Sequence, residues 1–265
     1  MRTLLGLLAL APFLAASPAA ADDLLPPESP IEKAVDHYID ARLEDGKITP
    51  AAQADDATLV RRLTLDLVGR IPVPAETHAF VESRDADKRT RLVDRLLASP
   101  AFARHQADEL DAFLMAGTRN SLREYLGKAA ADNRPWDRVF RELLLPDDKD
   151  PAQKGAAVFL RERAADTDKL TADVSTLFFG VNIGCARCHD HPLVPTWKQD
   201  HFFGMKSFFS RTALAGQQLV ERDTGPVKFK TTKGLERTAK MMFLTGTVLD
   251  LPGAKDAPPE KPKEK

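Results

Sequence analysis

The sequence predicts a mostly α fold, a compact multi-helix domain with a small β-hairpin appendage near the C-terminus. Three observations in the 265-residue chain carry this expectation. Apolar residues recur at three- and four-residue spacing through most of its length. Pro, Ser-Pro, Asp-Asp and Gly stand where those stretches begin and end. Beyond Phe209 the texture changes to β-branched residues alternating with charges.

The first helix is expected from Ser29 to about Glu44, where Ile31, Val35, Tyr38, Ile39 and Leu43 follow a Ser-Pro start and Gly46 ends the run. The second opens on Asp55-Asp56, acids that suit the positive end of a helix. It carries Leu59, Leu63, Leu67 and Val68 on one face until Gly69 and Pro72 stop it. Pro74-Ala75-Glu76 starts a short helix through Val81, and Asp85 to Ala98 gathers Leu92, Val93, Leu96 and Leu97 into a stripe. Ser99-Pro100 starts the next, to about Met115, since proline in the first turn gives up an N–H that has no helical partner there.

Ser121 to Ala131 and Pro135 to Leu145 repeat the pattern on either side of Asn133-Arg134-Pro135, with Trp136, Val139, Phe140 and Leu143 expected to face inward. Pro146 to Lys154 is polar and breaker-rich and reads as a loop inside the domain, because a helical pattern resumes over Thr167 to Val181. That makes about seven or eight helices, without internal repeats. The stretch Gly216 to Leu251 contains Val227-Lys228-Phe229-Lys230-Thr231, which reads as part of a hairpin.

The ends differ from the middle. Arg2, the apolar run Leu4 to Leu14 and Ala19-Ala20-Ala21 have the order of an export signal over residues 1–21, with the mature chain starting at Asp22. An uncleaved anchor is the competing reading, but the run is too short for a bilayer and no later stretch approaches ~20 apolar residues, so no membrane span is expected. Residues 22–215 then form the helical domain, 216–251 its strand-rich appendage, and the Pro- and Lys-rich residues 252–265 a disordered tail or linker. The formal net charge is −1, so neither a nucleic-acid footprint nor a strong pull to anionic lipid is indicated.

Both cysteines of the chain fall in Gly184-Cys185-Ala186-Arg187-Cys188-His189-Asp190-His191-Pro192. A secreted chain stapled by disulfides would spread several pairs over longer loops, so these two are reserved for local chemistry. Thiols at i and i+3 on one face of a turn suit thioether bonds to the two vinyl groups of one haem, and His189 can bring a neutral imidazole nitrogen to the iron. An export signal and this motif support each other, because haem attachment takes place in the exported compartment. The cysteine pair also allows a disulfide or free dithiol, or a zinc clip that adds His189, His191 or His201. Zinc sites, however, space their second ligand pair a loop away, and a redox dithiol prefers a strand-to-helix context.

Leu177, Phe178 and Phe179 before the motif, and Trp197, Phe202, Phe203, Phe208 and Phe209 after it, offer either an apolar wall for haem or ordinary core. For the second axial position the weak candidates are Met205, His201, Met241 and Met242, with Met115 further off; a methionine is more often core filler, and an open iron is equally allowed. His191 is expected to bond a propionate or a carboxylate, and Asp190 to orient an imidazole, cap a turn or stay solvated. Neither a Ser-His-Asp spacing, a phosphate-cradling glycine loop nor a metalloprotease helix is present.

Leu63-Thr64-Leu65-Asp66-Leu67-Val68-Gly69-Arg70-Ile71-Pro72, Arg91 through Pro100, and Asn133-Arg134-Pro135-Trp136 resemble the second planctomycete cytochrome-type domain, a family of unknown function. Cys185 to His191, Trp197, Gln199-Asp200 and Phe208-Phe209 extend the resemblance, which runs from Ser29 to Gly246 and closes on Phe243-Leu244-Thr245-Gly246. The resemblance implies an exported, periplasmic protein of planctomycetes or related bacteria that binds one covalent haem c through Cys185 and Cys188, with His189 on the iron. It also implies a large second domain, absent from this sequence, so a separately encoded protein of that type becomes a candidate partner. Three functions are compatible: a one-haem electron-transfer module with a redox partner, a haem enzyme with an open iron site, or a non-haem interaction module. The residues leave open whether the chain is an enzyme.

Overall fold

The computed structural model describes residues 24–249; the expected export signal and the tail from 252 lie outside the described residues. The described part has ten α-helices and four short strands, in the expected class. It divides into two units, one ending at Ala54 and one beginning at Asp55.

The first unit contains α1 (Ile31–Asp45), started by Pro30 and ended by Gly46. Leu25 N–H donates to the Tyr38 hydroxyl (2.9 Å), tying the preceding segment to the helix. The stripe read from the sequence is present, but Ile31, Val35, Tyr38 and Ile39 all face solvent.

The second unit opens with α2 (Asp56–Val68), capped by Asp55, whose carboxylate accepts Thr58 N–H at 2.7 Å. Gly69 ends it in the left-handed region (φ 71°), where a Cβ would also lie 2.6 Å from His105 Nδ1. In α3 (Pro74–Glu82), Glu76 accepts the N–H of Val73 and grips Arg70 through two 2.8 Å bonds. With α4 (Lys88–Leu97) these helices bury Val60, Val68, Phe80, Leu92 and Leu96 as one cluster. The inward face of α2 is thus rotated from expectation: Val60, Thr64 and Val68 are buried while Leu59, Leu63 and Leu67 flank them. Thr64 fits there because its hydroxyl donates back to the Val60 carbonyl (2.7 Å).

Helix α5 (Pro100–Leu114) starts on Ser99 and is the wall between two cores. Ala101 and Phe102 pack on the first cluster, Ala107 and Leu114 on the second. That larger core joins α6 (Arg123–Ala131), α7 (Trp136–Leu144), α8 (Val158–Arg161) and α9 (Thr167–Phe179) around Tyr125, Leu143, Phe159 and Leu170. Val139 and Leu143 of α7 face inward as expected, but Trp136 is 46% exposed and packs at a tilt against Phe178 (6.1 Å, 34°). Buried ions knit this core: Glu142 accepts from Tyr125, Arg134 and Arg138 at 2.6–2.7 Å. Arg163 donates to Asp173 and to the Leu114 and Phe159 carbonyls.

The last helix, α10 (Gln199–Phe209), buries Phe202, Gly204, Met205, Ser207 and Phe209. Beyond it, β1 (Thr212–Ala215) pairs antiparallel with β2 (Gln218–Glu221), and β3 (Lys228–Lys230) with β4 (Glu236–Thr238). The strand-bearing part therefore holds two hairpins and starts at Thr212, ahead of Gly216. Residues 240–249 return against α10, where Met242 N–H reaches the Gly204 carbonyl (3.4 Å) and pairs across to Val248.

Candidate functional site

Helix α9 ends on Gly180 in the left-handed conformation (φ 66°), which turns the chain back along α9 and α10. Ile183 is fully buried there, and Gly184–Arg187 form a single 3-10 turn closed by the Ala186 N–H to Ile183 carbonyl bond (2.9 Å). A 3-10 helix has three residues per turn, so side chains at i and i+3 eclipse. Cys185 and Cys188 therefore stand on the same side, both free and exposed, while Ala186 between them is buried against Phe202 and Met205. The i, i+3 relation read from the sequence is met by this tighter turn.

His189 is exposed, and its Nδ1 lies 2.7 Å from the carbonyl oxygen of Asp190. That contact requires the proton on Nδ1, which leaves the Nε2 lone pair free to bind a metal. The other two histidines of the segment are committed differently. His191 Nδ1 accepts the N–H groups of Leu193 (3.2 Å) and Val194 (3.0 Å), and its Nε2 lies 3.2 Å from the Asn182 carbonyl. With both nitrogens on backbone, and Trp197 edge-on at 5.3 Å, His191 holds the loop together; the expected bond to a propionate or carboxylate is replaced by these. His201 Nδ1 accepts Lys198 N–H (3.1 Å), which puts its proton on Nε2, the wrong tautomer for binding iron through that atom.

The remaining axial candidates sit in packing roles. Met205 is 4% exposed beneath the turn, and Met115 is 5% exposed in the larger core with Arg163 3.7 Å from its sulfur. Met242 lies against Gly204, where a glycine Cβ would come within 2.6 Å of the methionine Cβ; Met241 is half-buried. Cys185, Cys188 and His189 are all exposed on one short stretch, while these four methionines and His201 sit in their own contacts. Among the described residues no three His, Cys, Asp or Glu side chains converge as a metal site, so a zinc clip is not preformed.

Charges brace the turn from both sides. Arg187 lies 3.6 Å from Asp168 in the first turn of α9, and Lys206 of α10 lies 2.6 Å from the same carboxylate. The Cys188 sulfur beside Arg187, with Asp168 behind it, holds the guanidinium above its ordinary value. Asp190 pairs with Lys198 (2.9 Å), whose ammonium holds the carboxyl below the usual range. Gln199, 6% exposed, reaches in two directions: its amide donates to the Arg187 carbonyl (3.4 Å), and its oxygen accepts Thr232 N–H (3.1 Å) from the turn between β3 and β4. Asp200 adds a 2.7 Å bond to Arg237 of β4. The sequence marked Gln199 and Asp200 only within a resemblance, since a bridge to residue 232 has no local signal.

The aromatics counted as an apolar wall go mostly to the protein's own packing. Phe202 and Phe209 are buried, Phe203 stacks on Phe229 (4.2 Å, 11°), and Phe208 packs on Phe243 (5.2 Å). The donor chemistry nonetheless fits a c-type haem residue by residue: two free sulfurs on one side of a turn and an imidazole with an open Nε2 beside them.

No curated protein and no solved structure matches the chain. The profile of PSCyt2, described as a protein of unknown function (DUF1549), matches residues 34–214, which run from within α1 to within β1 and take in the whole Cys185–His189 turn. The chain belongs to this PSCyt2 family, a planctomycete cytochrome-type domain of unknown function.

Proposed function

We propose that this protein is an exported one-haem c-type electron-transfer module that works with a redox partner, a separately encoded protein of the planctomycete type being one candidate. The observation that carries the reading is the joint state of three side chains: Cys185 and Cys188 exposed on one side of a 3-10 turn, and His189 with Nδ1 spent on backbone. Cys185 and Cys188 would hold the porphyrin by thioethers, and His189 Nε2 would take the proximal position on iron. The group, once bound, supplies reversible one-electron chemistry. The protein's part is to fix the imidazole tautomer, keep both sulfurs accessible, and set the turn on a buried base of Ile183, Ala186, Phe202 and Met205.

The tautomer of His201 and the burial of Met205 support a second reading, in which the far side of the iron stays open and a small substrate reacts there. Both readings are tested in a cytochrome-maturing host by intact mass and visible spectrum. The expected wild-type result is a mass increase of one haem with a Soret band, and loss of both in the Cys185→Ser/Cys188→Ser double variant. A wild-type mass without haem overturns the proposal. A six-coordinate low-spin spectrum indifferent to carbon monoxide favours electron transfer; carbon monoxide binding with peroxide turnover favours the enzyme.

A further inference from the structure

Between the attachment turn and α10 the chain makes a closed loop with a joined base and an apolar tip. At the base, Lys198 bonds Asp190 (2.9 Å) and His191 N–H donates to the Trp197 carbonyl (2.9 Å). Inside it, His191 Nδ1 accepts both Leu193 N–H and Val194 N–H, and Trp197 N–H donates to the Val194 carbonyl (3.0 Å). The backbone path at 193–194 is therefore set by one imidazole and is not free to fold inward. Held this way, Leu193 is 85% exposed, more than any other large hydrophobic among the described residues, and Pro192 and Pro195 beside it are exposed as well.

A loop fixed by its own hydrogen bonds so that a leucine between two exposed prolines faces water presents an apolar tip that an apolar ligand can cover. The loop begins at the residue after the proposed iron ligand, so the tip and the cofactor would be carried on one short, hydrogen-bonded stretch of chain. Porphyrin needs a water-excluding shell, and the aromatics Phe202, Phe203, Phe208 and Phe209 that could have supplied one are engaged in the protein's own packing. We propose that Leu193 is a haem-contact residue, its side chain covering porphyrin surface when the cofactor is attached at Cys185 and Cys188. This inference rests on the haem reading above.

The test compares the haem-loaded wild type with Leu193→Asp, Leu193→Met and, as a control on an equally apolar surface site, Leu145→Asp at the end of α7, where Leu145 is 74% exposed. Wet, polar surroundings favour the more charged oxidised iron, so Leu193→Asp lowers the midpoint potential and alters the Soret circular dichroism. Leu193→Met and Leu145→Asp keep the wild-type values. Unchanged potential and dichroism in Leu193→Asp overturn the assignment and give the tip to solvent or to a protein partner. A shift of the same size in Leu145→Asp also overturns it, because the effect would then be one of net charge. A wild-type chain without covalent haem by mass instead overturns the haem reading beneath it, so the two failures are distinguishable.

Discussion

Glu142 is 4% exposed and carries a charge that three donors keep in place. Burial pushes its pKa up, but the hydrogen bonds from Tyr125, Arg138 and Arg134 outweigh that and hold it below the ordinary carboxylate value. The same burial, and the neighbouring carboxylate, push the Tyr125 hydroxyl up, so the tyrosine stays a donor. Removing one partner strands the others: Arg134→Ala is expected to cost about 3–5 kcal/mol in urea unfolding, and Tyr125→Phe about 1.5–3 kcal/mol. Glu76 is the contrasting case, a rim carboxylate that the bidentate Arg70 bond draws down to about 2. Its folded value lies below its unfolded one, so the stability it adds is present above about 4.5 and is lost as pH falls towards 2. Arg70 is 47% exposed, so solvent limits the gain to about 1 kcal/mol. Glu76→Gln should therefore lower stability at neutral pH, and the gap to wild type should close on acidification, as followed by denaturation midpoints at several pH values. The Cys185, Cys188 and His189 spacing was legible in the sequence because the thioether chemistry proposed for it needs a fixed local spacing. The roles of His191, His201 and Gln199 were not, because an imidazole tautomer and a bridging amide depend on which backbone groups the fold brings near.

Most helices announced themselves through their ends, as at Asp55, Pro74 and Ser99-Pro100, where the capping chemistry is local. The two that escaped had physical reasons to do so. Helix α8 is a single turn, too short to show a period. Helix α10 is buried on most of its surface, and its Gln199, Lys206 and Ser207 are interleaved with Phe202, Phe203, Met205, Phe208 and Phe209, so no single apolar stripe stands out. The rotation of α2 arose because Thr64 can satisfy its hydroxyl on its own helix and enter the core in place of a leucine. Gly204 is where α10 meets the returning chain, and a methyl group there would collide with Met242. Alanine favours helix over glycine by about 0.8–1 kcal/mol, so Gly204→Ala should leave α10 intact and displace its neighbour. The expected result is faster hydrogen exchange at Phe243 and Leu249, whose N–H groups bond Thr247 and Met241, with α10 amides still protected.

The second unit has two main cores on either side of α5, and the Cys185–His189 turn lies far along the chain from the first of them. Its own base is a third, smaller cluster of Ile183, Ala186, Phe202 and Met205, which Leu244 also touches. Three ties reach that base from the strand-bearing end: Gln199 to Thr232, Asp200 to Arg237, and Gly204 against Met242. The family match stops at 214, inside β1, and so excludes the far end of every one of them. A chain cut at that point is expected to keep the α5–α9 core by circular dichroism yet expose the Arg187–His189 backbone to protease and, on the haem reading proposed above, take up haem poorly. The Gln199 amide thus ties the matched region to a residue that lies outside it. A boundary drawn from shared sequence therefore runs between the Cys185–His189 turn and the residues that brace its base, Thr232, Arg237 and Met242.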